Sequence, residues 1–179
     1  AKPVQPLYTQ EDAAKVVTML SPVQYDSTFT PTDGVRVTYR NAGHILGAAF
    51  LELVVAKNGD TYKLVFSGDL GRPDALIVED AKIPALKPDY LFLESTYGDR
   101  DHKNESSSLE ELAQAIEYSH SRNEKVIIPA FAVERTQEIL YSLHKLYKQN
   151  RLPPDLPVYV DSPLAIKATE IFRKFPQYF

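Results

Sequence analysis

Two rhythms of apolar and polar positions divide this chain. From Val35 onward Val35, Val37 and Tyr39 alternate with polar Arg36 and Thr38, the two-residue period of a strand with one buried face. The period predicts further strands over about residues 49–55 and 62–66. They are joined across Asn58-Gly59, a pair that accepts the positive φ angles of a tight hairpin. Ahead of them Thr9-Gln10-Glu11-Asp12 has the form of a helix capping box. Ala13, Val16, Val17 and Leu20 follow at helical spacing, and Pro22 ends the run. The first half is therefore predicted to be antiparallel and β-rich.

Strand and helix alternate in the second half. A short buried strand is expected over residues 90–93, then a helix over about 108–121 with Leu109, Leu112 and Ile116 on one face. Ser107 with Glu110, or Ser108 with Glu111, can form its capping box. A strand over 125–128, a helix over 134–149, a Pro-rich connector over 152–157, a strand over 158–160 and a helix from about Leu164 complete the pattern. That order implies βαβ units, a parallel sheet and right-handed crossovers. Ligands of such sheets bind beyond the carboxyl ends of the strands. Glu94-Ser95-Thr96, residues 129–135 and Asp161-Ser162-Pro163 are thereby marked as candidates to line one crevice.

Composition narrows the chemistry. With 44% hydrophobic and 25% charged residues in 179, the chain reads as an ordinary globular protein, and its apolar runs are too short to cross a bilayer. No basic-then-apolar stretch of a secretory signal opens it. It has no cysteine, which excludes disulfides and thiolate metal sites and favours a reducing, cytoplasmic setting. Any metal must be held by histidine and carboxylate, a donor set that suits zinc or manganese. The net charge is −4. Residues 1–99 carry 9 Lys/Arg against 13 Asp/Glu, whereas residues 100–179 carry 11 of each. A broad basic nucleic-acid surface is thus excluded, and any such contact would be local.

Four residues stand out individually, each with an ordinary alternative. His44 lies between Gly43 and Gly47 just before a strand, where it can ligate a metal or close a turn. Asp69, in Ser67-Gly68-Asp69-Leu70-Gly71, can bridge two cations or bond to turn amides. Glu94 emerges from an apolar strand, a costly place for a carboxylate unless it is paired; it is either a site residue or a cap. Arg135, at the start of a helix, can bind phosphate or pair with a carboxylate. His102, His120 and His144 read as loop or helix-surface residues.

The order of the motifs says more than any one of them. Gly43-His44-Ile45-Leu46-Gly47-Ala48 is followed by Phe66-Ser67-Gly68-Asp69-Leu70-Gly71-Arg72 and Leu93-Glu94-Ser95-Thr96-Tyr97-Gly98-Asp99-Arg100. Then come residues 129–138 (Pro-Ala-Phe-Ala-Val-Glu-Arg-Thr-Gln-Glu) and Asp161-Ser162-Pro163-Leu164-Ala165. This series resembles the β-CASP branch of the metallo-β-lactamase fold, a family of RNA-processing and DNA-repair nucleases. The resemblance implies an α/β chain in which residues 1–104 form part of a metallo-β-lactamase αββα sandwich. Residues 105–179 would begin a β-CASP parallel α/β domain, and strand 90–93 would belong to the first part. By the same likeness His44 is a ligand of one zinc, Asp69 bridges two zincs, and Glu94 is a catalytic acidic residue supporting a later histidine. Ser95, Thr96, Arg135 and Ser162 would contact a single-stranded RNA whose phosphodiester bonds are hydrolysed. The family's His-x-His-x-Asp-His motif is expected upstream of His44, yet residues 1–43 contain no histidine. The chain is therefore expected to be an internal piece, inactive alone. Leu51, Leu53, Leu64 and Phe66 would be left uncovered and drive self-association. The rival expectation is a β-CASP scaffold or partner subunit without catalysis.

Overall fold

A computed structural model describes residues 6–100 and 105–178. It begins with α1 (Gln10–Met19) and continues through β1 (Thr28–Thr32), β2 (Val35–Asn41), β3 (Ala49–Lys57), β4 (Asp60–Phe66) and β5 (Tyr90–Phe92). Three helices follow: α2 (Glu105–Ser121), α3 (Arg135–Lys148) and α4 (Pro163–Phe172). The strands form one sheet in the order β1-β2-β3-β4-β5. The first four are antiparallel, and β5 lies parallel to β4 with Leu64 opposite Tyr90 and Phe66 opposite Phe92. The fold is mixed α/β, and among the described residues no helix is long and apolar enough to cross a membrane.

Local turn chemistry sets the register of the antiparallel part. Lys57 pairs with Asp60, so β3 and β4 are joined by Asn58 (φ 55°) and Gly59 (φ 89°) alone. Two positive φ angles make a turn whose twist matches the strands it joins. The two-residue period does not predict β1. This strand closes on β2 across Asp33-Gly34, with Thr32 opposite Val35, and it tolerates Pro31 because it is an edge strand. The core of this half is Ala42, Phe50 and Val65, with Ala48, Leu70 and Leu86 packed against it. Glu52 is also buried there, and Arg40 neutralises it with a 2.8 Å ion pair while reaching Asp26 at the same distance.

The cover of the sheet differs from the expectation. Leu51, Leu53, Leu64 and Phe66 are half-buried rather than bare, and Phe66 stacks on Phe92 with centroids 4.4 Å apart. Strand β5 is the exposed one: Leu91, Phe92 and Leu93 keep more than half of their surface in solvent. Its apolar run predicts burial, but it is an edge strand with β4 as its sheet neighbour, and no layer covers it among the described residues. The capping box of α1 forms as read, with Thr9 N–H donating to Asp12 at 2.8 Å and Asp12 N–H to the Thr9 hydroxyl at 3.2 Å. No residue of α1 is buried, so its apolar stripe packs on nothing described.

The helices pack on one another, α2 on α3 and α3 on α4, around Ala113, Ile116, Leu146, Ala165, Ala168 and Phe172. The Ile116 face of α2 is the predicted one. Its start is earlier than expected, at Glu105, so Ser107 and Ser108 lie inside the helix and cannot cap it; the cap falls outside the described residues. Residues 125–128 and 158–160 form no strand, and Ile127 and Tyr159 are almost fully exposed. The expected parallel sheet of the second half is absent among the described residues. A helix satisfies its backbone internally, whereas a three- or four-residue strand has nothing to hold it without a neighbour on its edge.

Candidate active-site crevice

Two loops meet at one end of the sheet. One leaves β2 at Asn41, whose side chain accepts the Gly43 N–H at 2.9 Å, and carries His44 before β3 begins. The other leaves β4 at Phe66 and carries Asp69. They touch backbone to backbone: Gly71 N–H donates to the Ala42 carbonyl at 2.8 Å, and a methyl group on Gly71 would collide with the Gly43 carbonyl. Gly43 itself (φ 64°) faces the backbone of residues 79–81 with no room for a side chain. The glycines of the two motifs therefore serve close approach, and the approach brings His44 and Asp69 to the wall of one open pocket of about 370 Å³. Both side chains are exposed to it.

Glu94 braces this junction. Its Oε1 accepts the Leu70 N–H at 2.8 Å, one residue beyond Asp69, and its Oε2 accepts the Thr96 hydroxyl at 2.7 Å. Its own N–H donates to Ser67 Oγ at 2.9 Å, which ties β5 to the start of the Asp69 loop. The Leu70 amide, then the Thr96 hydroxyl, hold the Glu94 carboxyl below the usual carboxylate range, and the charge of nearby His44 adds a smaller pull in the same direction. Glu94 is thus a fixed anion beside Asp69. Thr96 is committed to it, while Ser95 is exposed.

The remaining sequence candidates lie on the helical side. Arg135 pairs with Glu138 at 2.8 Å in the first turn of α3, and Glu138 also faces Arg72 of the Asp69 loop at 3.7 Å. Ser162 caps α4, its hydroxyl accepting the Ala165 N–H at 3.2 Å. Sequence patterns do not single out Arg72, Glu138, Ser67 or Gly71. All four stand inside the motifs quoted above, but their roles come from contacts between distant segments. Helix spacing alone could have flagged the Arg135–Glu138 pair, three residues apart.

Comparison with known proteins agrees with the motif order. Residues 136–179 match the family described as the Beta-Casp domain. A ribonuclease of Thermus thermophilus is 34% identical over 175 residues, which is 98% of this chain and 38% of that protein. The chain resembles β-CASP proteins. Other relatives include an endoribonuclease of Eremothecium gossypii, 33% identical over 94% of this chain and 22% of its own length. The cleavage and polyadenylation specificity factor 73 of Drosophila melanogaster is 29% identical over 96% of this chain and 24% of its own length. The chain thus spans well under half the length of these relatives. Ser162 lies within the matched β-CASP segment, Arg135 one residue before it, and His44, Asp69 and Glu94 well ahead of it.

The resemblance implies zinc, and the donors can be tested for it. Among the described residues no group of three or more His, Cys, Asp or Glu is arranged to hold a metal. His44 and Asp69 offer one imidazole and one carboxylate, whereas a catalytic zinc site takes three protein ligands and an open position. With two donors, the crevice as described does not by itself fit the ion.

Proposed function

We propose that this chain forms one wall of the active-site crevice of a zinc-dependent ribonuclease that hydrolyses phosphodiester bonds in single-stranded RNA in the cytoplasm. Residues 1–104 are taken as part of a metallo-β-lactamase sandwich and residues 105–179 as the start of a β-CASP domain. The observation that carries the reading is the glycine-mediated junction that puts His44 and Asp69 on one pocket with Glu94 bracing it. The names of the relatives, ribonuclease and endoribonuclease, supply the substrate class. In this reading His44 and Asp69 are two donors of a larger metal site. Glu94 is the acidic residue that holds the Asp69 loop, and Ser95, Thr96, Arg135 and Ser162 line the path of the RNA. Zinc bound by a complete donor set would supply Lewis acidity and a water ionised near neutral pH.

The test uses labelled single-stranded RNA and zinc. The 179-residue chain is expected to give no cleavage above buffer, because among its described residues no third donor joins His44 and Asp69. A longer protein containing it, with a His-x-His-x-Asp-His segment ahead of His44, is expected to cleave, and Asp69→Ala in that protein should abolish cleavage and lower its zinc content. Zinc-loaded longer protein that leaves RNA intact would overturn the reading in favour of a non-catalytic scaffold. Cleavage that survives Asp69→Ala would remove Asp69 from the site.

A further inference from the structure

The start of α3 is built around one buried carboxylate. Glu138 keeps only 7% of its surface in solvent, and a carboxylate so placed is costly unless cations compensate it. Its two guanidinium partners come from different parts of the chain. Arg135 belongs to its own helix, and Arg72 lies three residues beyond Asp69. The segment leading into α3 is held as well. The Thr136 hydroxyl donates to the Phe131 carbonyl at 2.8 Å and Gln137 Nε2 to the Ala132 carbonyl at 3.1 Å. Gln137 also reaches Thr169 of α4 at 2.9 Å. The start of α3 is thus a rigid abutment, and the Asp69 loop leans on it through Arg72.

We propose that Glu138 is a positioning residue for the crevice, acting through Arg72 to hold the Asp69 loop at a fixed distance from the start of α3. This rests on the reading that Asp69 serves the site. Anchors of the loop among the described residues include Glu94 on the Leu70 amide, the Ala42 carbonyl on the Gly71 amide, and Glu138 on Arg72. The first two fix it to the strands, and only the third spans to the helices among these. Removing it frees the loop relative to α3 while leaving the sheet intact.

The experiment has two arms. In the 179-residue chain, amide hydrogen exchange is followed for Arg72→Met, Glu138→Gln and the double variant. Exchange at residues 69–72 is expected to rise by on the order of tenfold in each, with the β3–β4 hairpin amides unchanged. The double variant should be no faster than the single ones, because both changes break one link. Unchanged exchange at residues 69–72, or a uniform rise across the sheet, would overturn the proposal. Should Glu138→Gln fail to fold, Arg72→Met, at a partly exposed position, decides the matter alone. In the longer protein Arg72→Met should lower kcat on single-stranded RNA by on the order of tenfold with KM within about twofold. An equal loss carried wholly by KM would overturn the positioning role. The exchange arm does not require nuclease activity, so failure of the ribonuclease reading and failure of this proposal are told apart.

Discussion

The strand half and the helical half of this chain obey the same packing rules, yet they differ in how far each element depends on others. Between β1 and β4 every neighbour in the sheet is also the neighbour in sequence, and each closure involves a loop of a few residues. The pairing of Lys57 with Asp60 follows from two residues that tolerate positive φ. In the helical half the helices form, since their hydrogen bonds are internal. The apolar segments between them, 125–128 and 158–160, stay unpaired because a parallel strand has to find its partner across a whole crossover. Locally closed structure is self-sufficient; crossover structure is not. One place where the halves touch, Arg72 on Glu138, lies three residues beyond Asp69.

The sharpest way to break the strand half is Gly71→Ala. The added methyl meets the Gly43 carbonyl, a backbone atom that cannot turn away, so the two loops must separate. A loss of about 3 kcal/mol or more in urea unfolding is expected, at the upper end of what overpacking costs. Gly47→Ala is the control. It meets no atom within 4 Å, and its only burden is a positive φ, so a loss of about 1 kcal/mol is expected. Equal effects of the two would mean that the His44 and Asp69 loops do not approach as described.

Breaking the helical half asks whether the two regions unfold together. Leu146 is fully buried in α3, and Leu146→Ala is expected to cost about 2–4 kcal/mol through lost burial and a residual cavity. If the helices form a unit linked to the sheet by few contacts, circular dichroism of the helices should melt early in this variant. Exchange protection of the β2–β3–β4 amides should persist. Simultaneous loss of both signals would show one cooperative unit and would remove the distinction drawn above.

These differences explain what could be read in the sequence. The hairpin at Asn58-Gly59, the capping box at Thr9 and the amphipathic face of α2 are encoded within a few residues, and the pattern exposes them. β1 was hidden because Thr28-Phe29-Thr30-Pro31 lacks alternating apolar residues; Asp33-Gly34, which closes it on β2, is the signal that could have found it. The motifs put His44, Asp69 and Glu94 forward as candidates, and the structure brings them to one junction. How they are held was not legible. The Leu70 amide on Glu94 and Arg72 on Glu138 join residues 24 and 66 positions apart, and no spacing rule reaches that far. Arg135 and Ser162 were marked by their place after apolar segments, but here the first pairs with Glu138 and the second caps α4.

The smallest predicted effect concerns Glu134, the residue just before α3. Glu134 sits just before α3 at φ 71° and ψ −68°, and the Arg135 N–H donates to the Val133 carbonyl at 3.0 Å around it. This is a γ-turn of the positive-φ kind, rare and strained in a residue with a side chain. Its carboxyl is half-buried, with Oε2 lacking a partner. Burial, and then the charge of Glu138, push its pKa up from the ordinary 4.5 to about 7, against the opposing pull of Arg135. Because the folded-state value is raised, the folded chain keeps a proton that the unfolded chain releases between pH 4.5 and 7. The stability linked to that proton is fully present below pH 4.5, falls as pH rises through the window, and is gone above about pH 7. Allowing for solvent screening of the exposed half of the side chain, the fall is on the order of 1 kcal/mol. Glu134→Gln should flatten stability against pH in that window and leave the strained turn in place. Glu134→Gly should flatten it too and add about 1 kcal/mol at every pH, since glycine adopts the positive φ without strain. Urea unfolding at pH 5 and pH 8 separates the two variants. If Glu134→Gly is no more stable than Glu134→Gln, the turn is not strained, and burial of charge alone accounts for the cost of this glutamate.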